Sequence, residues 1–293
     1  MKIALASALL LSVTPLSAVA QDHAGQRAEW NRPQQPFRIA GNLYYVGTSE
    51  LAAYLITDPA GHVLIDVPLA ESAPRIAANI EALGFKVRDI RRLLVNHAHW
   101  DHADGLAAFK RLSGATLWAS AADRATLESG RATDRDDLPP LAPVKVDRIL
   151  RDGDVVAIGT TRIKAHLTPG HTPGCTSFTL ETRDPRISQG RPLKVLLACS
   201  MTVAGQRLVN NARYPAAADD FQRSMARMKS IRPAIFLNFH AGGFDLAAKR
   251  ARQLDGDAAA FVDPSEWPRR RLEAEQAFQT ELARQKAEQP AAR

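Results

Sequence analysis

The sequence predicts an α/β protein with a four-layer αββα sandwich, in which two packed β-sheets carry helices on their outer faces. Three observations support this fold class. The 293 residues are enough to bury a large core. Short apolar runs of strand length occur in both halves of the chain, and segments with helical spacing accompany them in each half. No repeat of short period is visible along the chain.

The first half of the chain begins with three consecutive predicted strands, after which helices and strands follow in turn. Asp58-Pro59-Ala60-Gly61 is typical of a turn between two strands, and Gly84 is typical of a helix end. Strands are predicted at residues 43–47, 53–57, 62–66, 91–95 and 116–119. Helices are predicted at residues 76–83, from 105 to about 114, and 121–128.

The second half begins after an irregular loop at residues 129–144. This stretch is rich in Asp and Pro, and its position between elements that flank the polar cluster described below makes it a candidate wall of a binding pocket. Strands are predicted at residues 155–158, 161–167, 175–180, 193–198 and 234–237. Helices are predicted at residues 216–230 and 266–285, the second only weakly amphipathic.

Composition and charge disfavour nucleic acid as a partner. The net charge is +7, but Lys and Arg are scattered, with Arg269-Arg270-Arg271 as the one compact basic run and no aromatic residues interleaved with it. We therefore interpret the positive charge as a source of solubility. After the first 20 residues no stretch is long and apolar enough for a membrane span.

The first 20 residues have the pattern of a secretory signal peptide. Lys2 gives a positive start, an apolar stretch follows, and Ala18-Val19-Ala20 is a typical small-residue cleavage site. We expect export to the periplasm, an extended N-terminal arm at residues 21–36, and one catalytic domain at residues 37–293. An uncleaved membrane anchor is the alternative.

The chemistry of the chain is predicted to centre on His97-Ala98-His99-Trp100-Asp101-His102. This run places four potential metal ligands at the turn between a predicted strand and a predicted helix. Imidazole nitrogens and one carboxylate are donors that suit zinc. The alternative, a polar loop with histidines present by chance, is disfavoured by the histidines that follow later in the chain.

Two later histidines complete the predicted site. His171 lies in the turn Thr168-Pro169-Gly170-His171-Thr172-Pro173-Gly174, and His240 follows a predicted buried strand. Loops at one edge of a sheet sandwich can converge, so we predict one zinc held by His97, His99 and His171. A second zinc would be held by Asp101, His102 and His240. Three protein ligands and an open position are typical of a catalytic zinc.

The remaining histidines and the cysteines are assigned other roles. His166 is interpreted as a packed histidine or as one that supports a ligand. His62 is interpreted as a surface turn residue and His23 as solvated. Cys175 and Cys199 could form a disulfide in an exported protein, and the sequence leaves their pairing open.

The order HxHxDH, then His171 in TPGHTPG, then His240 after a strand resembles the metallo-β-lactamase fold. Within it, the chain resembles the class B β-lactamases of subclass B3, from about Trp30 to the C-terminal helix. The resemblance includes Pro36-Phe37-Arg38-Ile39-Ala40-Gly41-Asn42-Leu43, Arg213-Tyr214-Pro215 and Phe244-Asp245-Leu246. It implies a two-zinc hydrolase that opens the β-lactam ring of penicillins, cephalosporins and carbapenems with a zinc-activated water, and so confers antibiotic resistance.

The resemblance also implies roles for individual residues. Asp101 would be both ligand and catalytic residue, orienting the water and relaying a proton, while Ser200 and Thr202 would bind the substrate carboxylate. Thioesterase- and lactonase-like members of the fold place a bridging Asp where alignment puts Ser200. Another β-lactamase subclass places a ligand Cys there and lacks a ligand His next to the Asp, the position that His102 fills here. A shift by one residue would make Cys199 a zinc thiolate.

Two rival functions stay open. One is a lactonase or a glyoxalase II-like thioesterase of the same fold, which predicts a bridging acid where Ser200 stands. The other is a zinc-binding protein without catalysis, which predicts a blocked fourth position on the metal. We expect a monomer with a small-molecule substrate.

Overall fold

Two β-sheets lie at the centre of the molecule. The structure is a computed structural model, and it describes residues 17–288. Seven strands form the first sheet in sequential order: β1 (Phe37–Ala40), β2 (Leu43–Tyr45), β3 (Tyr54–Ile56), β4 (His62–Ile65), β5 (Ile90–Leu94), β6 (Thr116–Ser120) and β7 (Arg148–Leu150). The second sheet has the order β12-β11-β10-β9-β8 and consists of β8 (Val155–Ile158), β9 (Thr161–Leu167), β10 (Thr176–Arg183), β11 (Pro192–Ala198) and β12 (Ile235–Asn238).

Helices cover the outer faces of both sheets. They are α1 (Ser17–Trp30), α2 (Ala73–Ala82), α3 (Trp100–Ala103), α4 (Leu106–Ser113), α5 (Arg124–Ser129), α6 (Pro185–Ser188), α7 (Ala217–Met228), α8 (Leu246–Leu254) and α9 (Glu266–Ala287). Within residues 17–288 none of these helices is both long enough and apolar enough to cross a lipid bilayer.

The buried core has the layers of an αββα sandwich. Side chains from both sheets, such as Ile56 and Phe178, share one apolar cluster between the sheets. A second cluster joins the outer face of the first sheet to α2 and α4, where Phe109 is fully buried. Burying one such side chain contributes about 2–3 kcal/mol. The predicted fold class is confirmed.

Parallel strand pairs bring the ends of several strands to one edge. In the first sheet β4, β5, β6 and β7 run parallel, and in the second sheet β11 runs parallel to β12. The turn that begins at His97 follows β5, and His240 follows β12. Because parallel strands end at the same edge, residues that are far apart in sequence can meet there.

The predicted extended arm at residues 21–36 is wrong over most of its length, because α1 continues to Trp30. Residues 21–30 contain no Pro and include Ala, Gln, Arg and Glu, which favour a helix. Arg27 fastens the helix end to Glu71 and Asp104, with guanidinium–carboxylate distances of 2.7 and 2.8 Å. Of the predicted signal peptide, residues 1–16 lie outside the described residues, and its cleavage stays a prediction.

Candidate metal centre

A rigid turn presents the first four predicted ligands. β5 ends at Leu94, and the backbone turns through residues 95–99 into α3, whose N-cap is His99. The backbone N–H of Ala98 donates to Asp123 Oδ2 at 3.0 Å, and that of His102 donates to the His99 carbonyl at 3.0 Å. Four ligand side chains in six residues can point to one place because a strand end and a helix start fix the backbone between them.

Three imidazoles meet on one side of this turn. His97, His99 and His171 are buried, and their ligand atoms lie within 4.8 Å of one another. The ring centroids of each pair are 4.6–4.7 Å apart. His97 Nε2 is buried and has no hydrogen-bond partner among the described residues. An orphaned buried nitrogen facing two other imidazoles fits a metal ion, because burial of an unpaired polar atom is otherwise costly.

The other three predicted ligands meet beside the first set. Asp101 Oδ2 lies 3.5 Å from His102 Nε2 and 3.4 Å from His240 Nε2. The rings of His102 and His97 are 4.3 Å apart between centroids, so the two sets are neighbours. The structure therefore brings all six residues together at one edge of the sandwich. That they are the metal ligands stays a prediction.

In four of the five imidazoles, Nδ1 contacts an oxygen atom of another residue. His102 Nδ1 lies 3.1 Å from Asp66 Oδ2, and His240 Nδ1 lies 3.3 Å from Glu50 Oε1. His171 Nδ1 donates to the carbonyl of Thr202 at 2.8 Å. His97 Nδ1 contacts the amide oxygen of Asn96. Such outer contacts fix the tautomer and orientation of a ligand ring.

Electrostatics prepare these groups for a cation. Burial, together with the neighbouring histidines, lowers the pKa of His97 and of His171 well below the usual value, so both rings are neutral and able to bind metal. Burial alone would raise the pKa of Asp101, but His102 and His240 hold it well below its usual range. Burial lowers the pKa of His240, but the carboxylates of Asp101 and Glu50 outweigh this effect and raise the pKa of His240 to about 9.

Zinc fits this donor set. Five imidazoles and one carboxylate are intermediate donors that zinc prefers, whereas Mg²⁺ and Ca²⁺ require mainly oxygen ligands. A metal would displace the proton that the Asp101–His240 pair holds, because bound imidazole must be neutral. The arrangement is therefore a candidate metal centre whose predicted ligands come from three separate loops.

The predicted substrate residues lie at different depths. Thr202 lines the main cavity. Ser200 instead borders a smaller cavity, and its Oγ lies 3.0 Å from Thr202 Oγ1. Cys199 is bonded to Cys175 in a disulfide, so it is not a free thiolate that could bind metal, and the pairing that the sequence left open is present.

A cavity of about 960 Å³ opens onto the site. Four of the predicted ligands line it, namely His99, Asp101, His171 and His240. One wall is the loop that carries Arg135 and Leu138, as predicted for residues 129–144. Another part of the lining is α9, which presents Arg270, Glu273, Ala274, Ala277 and Glu281. The cavity therefore extends well beyond the ligands, along one face of the C-terminal helix.

Two other histidines lie outside the site. His166 is half-buried on β9 and its Nε2 lies 2.8 Å from Thr179 Oγ1. His62 was expected at the surface, but it is buried and packs edge-on against Phe85 because β4 starts at this residue. His23 lies in α1, in a part of that helix whose side chains are not described.

Sequence reasoning missed the acids behind the ligands and one aromatic residue beside them. Asp66 directly follows the apolar run of β4 and has φ +64°. An acid at the end of a buried strand could have indicated a residue that supports the site. Glu50 gave no such signal. Trp30 stacks on Trp100 at 5.9 Å and meets the His240 ring edge-on at 5.2 Å, so α1 ends against the site.

Comparisons with known proteins point to one superfamily. Residues 51–184 match the family described as the metallo-beta-lactamase superfamily. The chain is similar to the FEZ-1 metallo-beta-lactamase from Legionella gormanii, with 40% identity, a TM-score of 0.84, and coverage of 87% of this chain and 98% of that one. It is also similar to BJP-1, a subclass B3 metallo-beta-lactamase of Bradyrhizobium japonicum, with 38% identity, a TM-score of 0.83, and coverage of 89% and 98%.

A curated relative points to a different activity in the same family. A hydroxyacylglutathione hydrolase of Jannaschia sp. (strain CCS1) is 33% identical over 126 residues, which are 43% of this chain and 41% of that protein. The aligned part thus spans about two fifths of that relative's length, whereas the two solved structures are matched over nearly their whole length.

Proposed function

The chain belongs to the metallo-beta-lactamase superfamily, and we propose that it is a two-zinc β-lactamase of subclass B3 that opens the four-membered ring of penicillins, cephalosporins and carbapenems. The family match and the histidine cluster by themselves support a hydrolase of this superfamily that could bind metal. The choice of substrate and the number of ions are the proposal.

One observation carries the proposal. His102 stands beside Asp101 and His240 as a third donor, with its Nε2 directed at the Asp101 carboxylate and its Nδ1 at Asp66. With His102 as donor, the second ion does not need a bridging acid from the end of β11, and Ser200 occupies that position. This combination is the one expected of the subclass B3 resemblance and not of a thioesterase.

The chemistry is the addition of water to a strained amide. The water oxygen bonds to the carbonyl carbon, the ring C–N bond breaks, and a proton ends on the nitrogen. When bound, two zinc ions would activate the water at neutral pH and polarise the carbonyl. Asp101 is ionised at neutral pH, so its Oδ2 can accept a hydrogen bond from the water and hold the proton in transit.

Other groups of the chain would orient the substrate. The Thr202 hydroxyl faces the cavity and can donate to the substrate carboxylate, while the Ser200 hydroxyl fixes its position. Arg135 also lines the cavity, and its guanidinium is paired there with the carboxylate of Asp137. Trp30 and Leu138 provide apolar surface for the rest of the molecule. Such a mixture of apolar walls and few polar groups is typical of small-molecule sites.

A thioesterase of the glyoxalase II kind is the second candidate, and the partial match to a hydroxyacylglutathione hydrolase favours it. A lactonase is a related possibility on the same fold. Both are less well supported, because the match to the hydroxyacylglutathione hydrolase extends over 43% of this chain, whereas the match to the FEZ-1 β-lactamase structure extends over 87% of it.

We also propose that the enzyme acts as a monomer in the periplasm after removal of residues 1–20. Support for the periplasmic location comes from the disulfide between Cys175 and Cys199, because disulfides persist in oxidising compartments. Sequencing the N-terminus of the exported protein and measuring its mass in solution would test both points.

The test of activity compares substrates on one preparation. Zinc-loaded protein is assayed against a carbapenem, benzylpenicillin, an acyl homoserine lactone and a glutathione thioester, with and without chelator. We expect hydrolysis of both β-lactams, lost on chelation and restored by zinc. Hydrolysis of the lactone or the thioester alone would contradict the proposal and favour the second candidate. No hydrolysis with two zinc ions bound would favour a binding protein.

A further inference from the structure

His99 is the exception among the five imidazoles. Its Nε2 is buried and has no hydrogen-bond partner among the described residues, and the same holds for Oδ2 of Asp134. These two atoms face each other at 3.8 Å. We infer that Asp134 is the positioning residue for His99: its carboxylate accepts the Nε2–H of the ring and so directs Nδ1 to the metal.

Burial makes this pairing necessary for Asp134. Its side chain is 3% exposed, and the His99 side chain is 5% exposed. A carboxylate without a partner at such depth is costly, and so is a buried imidazole N–H. The carboxyl group of Asp123 is also buried and interacts electrostatically with Asp134. Repulsion between the two acids makes an unpaired Asp134 carboxylate still less favourable. A hydrogen bond from His99 relieves both side chains at once.

Metal binding supplies that hydrogen bond. A neutral imidazole has one nitrogen that can bind metal and one that carries hydrogen. If Nδ1 of His99 binds the metal, Nε2 must carry the hydrogen, and this hydrogen points to Asp134. The distance of 3.8 Å between His99 Nε2 and Asp134 Oδ2 is about an ångström longer than a hydrogen bond. A small rotation of the two side chains would close this difference. Asp134 therefore favours the tautomer that binds metal.

The position of Asp134 connects the metal to the cavity wall. Asp134 lies in the loop at residues 129–144, and the next residue, Arg135, lines the cavity. Arg135 Nη1 donates to the carbonyl of Ala204 at 2.8 Å. Ala204 belongs to the same loop as Thr202, whose carbonyl holds His171. The rings of His99 and His171 are thus both held by loops that form the substrate cavity, and metal affinity depends on the position of those loops.

The inference rests on the proposed metal centre and does not depend on which substrate is cleaved. The test is zinc affinity, measured by competition with a chromophoric chelator, for the parent and for Asp134→Asn. We expect a 10- to 100-fold weaker affinity for one of the two ions, with the other ion unchanged. Asp134→Glu, which keeps the carboxylate, should recover part of the loss. A change of less than twofold in Asp134→Asn would overturn the inference.

Asp136→Asn is the matched control. Asp136 lies in the same loop, but its side chain is 74% exposed and pairs with Arg213 at the surface. We expect its zinc affinity to equal that of the parent. An equal loss in both variants would mean that the loop acts only through its net charge, and this would overturn the specific role of Asp134.

A second measurement uses the unaltered protein and does not depend on the folding of a variant. In the zinc-loaded protein labelled with ¹⁵N on histidine, long-range ¹H–¹⁵N correlation reports which ring nitrogen carries hydrogen. We expect a protonated Nε2 and a metal-bound Nδ1 for His99. Metal bound at Nε2 would overturn the inference. A parent protein that binds no zinc would overturn it as well, and that result alone would also refute the proposed function.

Discussion

Asp66 Oδ2 lies 3.1 Å from His102 Nδ1, and both side chains are almost fully buried. Asp66 also accepts a hydrogen bond at 2.8 Å from the backbone N–H of Asn96, the residue that precedes the ligand turn. One carboxylate at the end of β4 therefore fixes both the start of the turn and the ring at its end. Because this ring faces Asp101 with its other nitrogen, the second ligand set depends on a contact between two neighbouring strands.

We predict that His102→Ala binds one zinc instead of two. The substitution removes a donor from the second set and leaves His97, His99 and His171 in place. Activity against β-lactams should fall by about 100-fold or more, because the second ion no longer helps to stabilise the developing charge. Metal content after dialysis, measured by mass spectrometry, gives the stoichiometry.

His166→Ala is the control for that experiment. His166 is half-buried, contacts Thr179 and lies outside the ligand sets, so its loss should leave both metals and the activity unchanged. Two zinc ions in His102→Ala would contradict the assigned ligand set. Circular dichroism of both variants separates a lost ligand from a lost fold, since Asp66 loses one partner when His102 is removed.

Much of the fold could be predicted from local patterns. Strands β8 and β9 were predicted with their observed bounds, because alternation between buried and exposed residues is clear in both. The end of α4 was predicted from Gly114, which has φ +70°. Strand β7 was missed because it has three residues and only one of them, Leu150, is buried. Short edge strands carry too little pattern to be read.

The six residues that meet at this site could be predicted because their spacing is local or their turns are distinctive, but the residues that support them could not. Glu50 reaches His240, and Asp134 faces His99, only after distant loops have folded together. The helix that ends at Trp30 was missed for a similar reason. It is fastened by Arg27 to Glu71 and Asp104, contacts that no periodicity within residues 21–36 reveals.

We predict that Ala277→Trp narrows the substrate range. Ala277 is exposed on the face of α9 that lines the cavity, and an indole there would fill part of the cavity along this helix. β-Lactams with long or bulky side chains should show about a tenfold rise in KM, equivalent to about 1.4 kcal/mol. Steady-state kinetics with a bulky and a compact penicillin measure the effect, and zinc content should stay the same.

Ala283→Trp is the matched control, because Ala283 is exposed on the same helix but does not line the cavity. Its kinetics should equal those of the parent for both penicillins. If Ala277→Trp raised the KM of the compact penicillin as much as that of the bulky one, the cavity along α9 would not be a site for substrate side chains.

We predict that Asp123→Asn changes how stability depends on pH. Burial, reinforced by the charge of Asp134, raises the pKa of Asp123 from 3.8 to about 7. Between about pH 4 and 7 the folded protein therefore keeps this proton while the unfolded chain releases it. Stability falls as the pH rises through that range, by roughly 4 kcal/mol in total at 1.36 kcal/mol for each pH unit.

The Asn variant cannot ionise, so this part of the pH dependence should vanish. Urea unfolding of the chelated parent and of Asp123→Asn at pH 4.5, 6 and 7.5 gives the comparison, and chelation removes the separate effect of metal. The variant should lose less stability than the parent between the first and the last pH. Asp123 also holds the backbone N–H of Ala98 in the ligand turn, and the amide oxygen of Asn can accept the same bond. Identical pH slopes for the two proteins would show that Asp123 is ionised in the folded state across this range.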